Sequence, residues 1–145
     1  MRRTPSQNVI FRGESTADDQ FEPRGRGIAK KLLCQIRADG FDAADEDNWR
    51  DCGWSIDVSA SGTVLQLALA ETDETGRWIA DVAPLCEPGI IAQLFGRKFV
   101  DRSEDVLSRS LSVSRFLRQS GFSDILWCVD GFPDIGNGTP EPITQ

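Results

Sequence analysis

Acidic side chains crowd one short stretch of this chain, where they could do chemistry. Between Asp39 and Asp51 the sequence has six carboxylates and one arginine, so this stretch supplies −5 of the formal net charge of −7. Carboxylate oxygens can coordinate a hard cation, transfer protons or bind a basic protein surface. The EF-hand pattern, with oxygens at alternate positions and a glycine at position six, is missing. We therefore predict no metal site in this stretch.

One aromatic residue lies among these acids. Trp49 keeps no phase with apolar neighbours, whereas the other three tryptophans of the chain each alternate with them. An aromatic ring surrounded by charge is typical of a contact hot spot for a charged partner. The alternative is a solvated loop in which Trp49 folds back against the sheet edge. The sequence predicts a partner-binding surface made of Asp45, Glu46, Asp47, Trp49 and Asp51.

Few residues of this chain are suited to nucleophilic catalysis. The chain has no histidine, which removes the usual general base at neutral pH and every Ser-His or Cys-His pair. The four cysteines form no CxxC pair and show no zinc-finger spacing, so we interpret them as free thiols. Cys34 is a possible reactive thiol, because Lys30, Lys31 and Arg37 lie within one turn of it on a predicted helix. We predict no catalytic residue and no cofactor.

Charge and apolar content also bear on partners and location. A sequence pI of about 4.6 argues against nucleic acid, because duplex binding needs a basic face. No apolar run reaches the ~18 residues of a membrane span, and the first residues lack the apolar core of a signal peptide. We expect a cytoplasmic protein whose partner is another protein, with a basic surface or without one; a homodimer is the other assembly considered.

Hydrophobic periodicity predicts a single α+β domain over residues 26–131. Its first elements are a helix from Arg26 to Gly40, then the acidic run as a loop outside the strand register, and then strands over WSIDVSA, TVLQLALA and RWIADVA. A short helix after Pro84, a long helix to Ser120 and a strand over DILWCVD follow. We expect the helices on one face of an antiparallel sheet of three to four strands, whose last strand pairs with either edge of the meander. Residues 1–25 and 132–145 are expected to be a flexible arm and a flexible tail.

Finer expectations concern individual positions. Gly40 and Gly121 are each expected to follow the end of a helix in the left-handed conformation. Cys52 alternates with Trp54 and is expected in the core. Ser110 lies near the middle of the apolar face of the long helix, as does Ser114, and such small residues would let a bulky partner approach the helix.

Two resemblances add to this interpretation. The acidic run, the GW of Gly53 and Trp54, RWIADV and LRQSGFSDILW resemble a class of small uncharacterised bacterial proteins, over about Gly40 to Val129. That resemblance implies no activity. The order helix, three strands, helix is similar to the secretion chaperones of type III systems, which implies a homodimer with hydrophobic grooves. Together with the missing catalytic groups, these features favour a non-enzymatic binding module, such as an immunity-type inhibitor or chaperone. The alternative is a small-ligand domain or an enzyme that uses carboxylates alone.

Overall fold

The computed structural model describes residues 7–14, 23–60, 63–84, 103–129, 131 and 138–144. Within these residues the elements are β1 (Asn8–Arg12), α1 (Arg26–Ala38), β2 (Asp47–Trp49), β3 (Gly53–Ala60), β4 (Thr63–Glu71), β5 (Arg77–Pro84), α2 (Ser103–Gln119) and β6 (Ser123–Cys128). The predicted mixture of helices with an antiparallel sheet is confirmed. The short helix predicted after Pro84 lies outside the described residues.

The strands form one antiparallel sheet in the order β2-β3-β4-β5-β1-β6. The predicted meander is present as β3, β4 and β5. The prediction of three to four strands is wrong, because two short strands come from segments predicted to be an arm and a loop. β1 arises from the predicted arm and β2 from the acidic run.

β1 lies inside the sheet, between β5 and β6. Val9 and Phe11 are buried against the core, and the strand is hydrogen-bonded along both edges. The expectation of a flexible arm over residues 1–25 is therefore wrong for this segment. Three consecutive apolar residues suffice for a strand when both edges find backbone partners, because no polar backbone group is then left unsatisfied. As a result β6 pairs with β1, and not with an edge of the meander.

The end of the chain is also held in place where it is described. Thr139 exchanges two backbone hydrogen bonds with Trp127, at 2.7 and 2.9 Å. The hydroxyl of Ser114 donates to Glu141 at 3.0 Å, and Arg118 forms an ion pair with the same carboxylate. For residues 138–144 the expectation of a flexible tail is thus wrong, since backbone pairing and two contacts with α2 fix them.

Alternate residues of the strands face α1 and α2, and we call this side of the sheet the helix face. Its buried strand residues are Val9, Phe11, Trp54, Ile56, Val58, Leu65, Leu67, Leu69, Trp78, Ala80, Val82, Ile125 and Trp127. The intervening residues form the opposite side, which we call the second face. The three tryptophans that alternate with apolar neighbours therefore all lie in the core.

Both described helices end as predicted. Gly40 follows α1 at φ +92°; its N–H donates to Arg37, and the next N–H, of Phe41, donates to Ile36. Gly121 ends α2 at φ +80° with the equivalent pair of hydrogen bonds. These Schellman motifs satisfy the last carbonyls of each helix and return the chain toward the sheet.

The small residues of α2 are buried as expected. Ser110 and Ser114 are 0% and 1% exposed, and α2 contacts β5 and β6, the strands that carry Trp78 and Trp127. Within the described part of the chain, neither helix has the length and apolar character needed to cross a membrane.

Candidate functional site

The acidic run forms an edge of the sheet. The backbone carbonyl of Asp42 accepts a hydrogen bond from the N–H of Ser59 at 2.8 Å, and the N–H of Ala44 donates to the backbone carbonyl of Asp57 at 3.0 Å. β2 then continues along the same edge of β3. The predicted loop outside the strand register is therefore a strand in part, because the edge of β3 supplies partners for its backbone groups.

A β-bulge interrupts this edge at its most acidic point. Ala43 pairs with Val58 and Asp47 pairs with Ser55, so three residues on the outer strand stand opposite two on β3. The additional residue falls within the sequence Ala44, Asp45, Glu46. Bulges and charges both hinder edge-to-edge pairing with another sheet. The acidic run is thus built as a protected edge and not as an open strand.

A tight turn connects β2 to β3. The two residues at its centre, Arg50 and Asp51, have φ of 53° and 57°, and the N–H of Cys52 donates to the carbonyl of Trp49 at 3.1 Å. Positive φ at both central residues is the backbone of the mirror-image turns favoured in hairpins. Cys52 is exposed in this turn. Its predicted place in the core is wrong, because the strand register begins one residue later, at Gly53.

Trp49 lies on the second face, in the opposite phase to Trp54. The register places Trp49 across from Gly53 and Asn48 across from Trp54. The Trp49 side chain is half-buried, and the guanidinium of Arg50 lies 5.4 Å from its ring centroid. The structure thus places the ring beside the strand backbone, with part of its surface open.

A concave surface of about 620 Å³ adjoins Trp49, and we call it the acidic concavity. It is lined by Ala44, Asp45, Glu46, Asp47, Asn48, Trp49, Arg50, Ser55, Asp57 and Gln66. Four of these side chains are carboxylates and one is a guanidinium. The structure therefore brings together four of the five predicted partner-binding residues and adds Asp57. Asp51 is not among the residues that line the concavity.

The carboxylates near the concavity differ in how they are held. Asp45 pairs with Arg37 at 3.0 Å, and the same guanidinium donates twice to the carbonyl of Ala43, at 3.1 and 2.8 Å. Asp39 instead joins the two helices, because its carboxylate accepts a hydrogen bond from Ser112 and pairs with Arg115 at 3.2 Å. The acidic cluster seen in the sequence thus loses Asp39 to a structural role.

A second concavity, of about 400 Å³, lies toward the other end of the sheet. Its lining includes Ile10, Leu126, Arg12 and Arg77. Arg12 pairs with Glu74 at 2.8 Å, and Arg77 lies 3.5 Å from the same carboxylate. The hydrogen bond and charge of Arg12 lower the pKa of Glu74. This concavity therefore has its arginines paired within the chain.

Other groups with possible chemistry lie elsewhere. Cys34 is exposed on α1, where the sequence places it, and its reactivity stays a prediction. Burial raises the pKa of Asp81, a residue of β5 whose neighbours across the strands are Ala68 and Asn8. Among the residues that the structure describes, no three Cys, Asp or Glu side chains are grouped so that they could hold a metal ion.

Comparisons of this chain with protein-family models, with curated proteins and with solved structures find no match. The role of this chain is therefore inferred from the acidic concavity itself. Its strongest sequence signal was the aromatic residue among acids. Asp57 could also have been found, because the alternation of WSIDVSA places it on the polar side of a strand.

Proposed function

We propose that this protein is a non-enzymatic protein-binding module, of the immunity-inhibitor or chaperone kind. In this proposal the acidic concavity and Trp49 bind a positively charged segment of a protein partner. The observation that supports it is the convergence of four carboxylates and one half-buried tryptophan around a single concave surface. A homodimer would be a further assembly of the same module.

Electrostatics and the aromatic ring would contribute differently to such binding. Clustered carboxylates attract a basic partner and raise its association rate, an effect that salt screens over about 8 Å at physiological ionic strength. Trp49 offers an amphipathic surface that can be covered by a partner side chain, and tryptophan is among the commonest hot-spot residues. The bulge and the acidic charges disfavour pairing of β2 with a foreign strand. We therefore propose recognition through side chains, and not through an added β-strand.

The same concavity also supports the alternative of a small cationic ligand or a carboxylate-based enzyme. Acid-base catalysis usually employs a carboxyl group whose pKa is raised toward neutrality. Asp81 has its pKa raised by burial, but it does not line the acidic concavity. Binding without catalysis is thus the better supported role.

A synthetic peptide of alternating glycine and arginine tests the proposal. We expect it to bind in about 0.15 M salt and to shift the indole N–H resonance of Trp49. The variant Trp49→Ala/Asp45→Asn/Asp47→Asn should weaken binding at least about tenfold, since it removes the ring and two charges. Calorimetry measures the affinity, and circular dichroism checks that the variant is folded.

A matched variant controls for net charge. Asp73→Asn/Glu104→Gln removes two exposed carboxylates outside the acidic concavity and should leave peptide affinity within about twofold, because distant charges are screened. Equal weakening by both variants would mean that the peptide senses only overall charge. That result, or binding that leaves the Trp49 resonance unmoved, would contradict the proposal.

A further inference from the structure

Arg50 has an unusual position among the residues of the acidic concavity. Among the described residues of the lining, it alone carries a positive charge. Four carboxylates line the same surface, yet within the described part of the chain none lies within ion-pair distance of Arg50. Its guanidinium instead lies 5.4 Å from the ring centroid of Trp49. The ring face, and not a carboxylate, is therefore the partner of this cation.

The other arginines near this end of the sheet have structural partners. Arg37 fastens the acidic edge through the carbonyl of Ala43 and the carboxylate of Asp45. Arg109 is buried, lies 4.3 Å from the ring centroid of Phe41, and donates to the carbonyl of Ser59 at 2.6 Å. Arg50 is exposed, at the tip of a hairpin, and its single described contact is with the half-buried Trp49. It can leave the ring without loss of any packing in the core.

We infer that Arg50 occupies the position which an arginine or lysine of the partner takes in the complex, so that it acts as an intramolecular competitor. This inference rests on the proposed function and specifies its ligand chemistry: the partner's cation binds the face of Trp49 with carboxylates beside it. Cation–π contacts at exposed sites contribute about 0.5–1 kcal/mol, so an incoming cation can displace Arg50.

The test compares Arg50→Asn with the unsubstituted protein, using the glycine-arginine peptide. Asparagine tolerates the positive φ of position 50, so the hairpin turn is kept while the guanidinium is removed. We expect a two- to fivefold higher affinity, which is the cation–π energy converted to a ratio of dissociation constants. The indole resonance of Trp49 should move in the free variant and then reach a similar position in both complexes.

Lys31→Gln is the matched control, because it removes one exposed positive charge from α1, on the helix side of the sheet. Its affinity should stay near that of the unsubstituted protein. Unchanged or weaker binding by Arg50→Asn, with the unsubstituted protein still binding, would overturn the competitor role and leave the proposed function intact. Equal gains in Arg50→Asn and Lys31→Gln would show a general charge effect and would also overturn it. Failure of all variants to bind would overturn the proposed function, and this inference with it.

Discussion

Trp54 and Trp49 lie on neighbouring strands. They share a cation–π contact with an arginine but differ in burial and in the face of the sheet on which they lie. Each has a guanidinium above its ring, at 5.1 Å for Arg26 over Trp54 and 5.4 Å for Arg50 over Trp49. Trp54 is buried on the helix face and donates its indole hydrogen to the carbonyl of Pro23 at 2.9 Å. Trp49 is half-buried on the second face, beside carboxylates. Strand phase therefore decides which ring packs in the core and which ring keeps part of its surface exposed.

The two faces of the sheet extend this contrast. The helix face carries large apolar side chains that interlock with α1 and α2. On the second face four small residues follow one another across β3 and β4: Gly53, Ser55, Ala68 and Ala70. We therefore expect substitutions on the two faces to change the free energy of unfolding by different amounts.

The largest effect is expected for Trp78→Ala, on the helix face. Trp78 is 0% exposed, and its indole donates to the carbonyl of Gly13 at 3.0 Å. Its truncation leaves a cavity and should lower the free energy of unfolding by about 3–5 kcal/mol. Trp49→Ala should lower it by less than about 1 kcal/mol, because the site can fill with water. Urea denaturation measures both values, and similar losses would show that Trp49 is a core residue after all.

A smaller effect is expected where the second face is tightly built. A Cβ placed on Gly53 would lie 2.0 Å from the carbonyl oxygen of Leu69, an atom of the β4 backbone that cannot rotate away. Gly53→Ala should therefore separate the strands locally and lower the free energy of unfolding by about 1–3 kcal/mol. Ser55→Ala, on the same strand and face, should change it by less than about 1 kcal/mol. A harmless Gly53→Ala would show that β3 and β4 do not approach so closely.

Much of the helix face could be predicted from the sequence. Period-two alternation over WSIDVSA and RWIADVA placed Trp54 and Trp78 in the core, and glycines marked the ends of both helices, because these signals are local. β1 could not be found in this way. A segment of five residues is too short for a hydrophobic period to be recognised. β1 is stabilised by its pairing with β5 and β6, which are distant in sequence. The place of β6 depends on β1 and was missed for the same reason.

The site could be predicted in composition but not in shape. The lost phase of Trp49 separates it from the core tryptophans, and of the four acids predicted beside it Asp45, Glu46 and Asp47 line the same concavity, whereas Asp51 does not. The bulge between Ala43 and Asp47 was not foreseeable, because pairing with β3 sets it. The structural role of Asp39 was not foreseeable either, because its partners Ser112 and Arg115 lie on a helix far along the chain.

The smallest effect is expected for Asp81→Asn. Asp81 is partly buried on β5, between the buried helix face and the exposed acidic edge in its exposure. Burial raises the folded-state pKa of Asp81, opposed in part by a backbone hydrogen bond with Ala68. Above the folded pKa the ionised carboxylate therefore destabilises the protein. As the pH falls through the folded pKa, Asp81 binds its proton first in the folded state, and that penalty is lost. Asparagine carries no charge at any pH, so it has no such penalty from burying an ionised group.

Asp81→Asn should consequently be more stable than the unsubstituted protein at pH 7, by at most about 1 kcal/mol, with an advantage that disappears at acidic pH. Urea denaturation at pH 7 and near pH 4 measures this difference. Other carboxyls titrate as well, and the pKa of Glu74 is shifted in the opposite direction, but their contribution is common to both proteins and cancels. Asp73→Asn, at an exposed acid, controls for the lost charge. An advantage that grows toward low pH would mean that the ionised Asp81 stabilises the fold, which would place a cation, and not burial, beside this carboxylate.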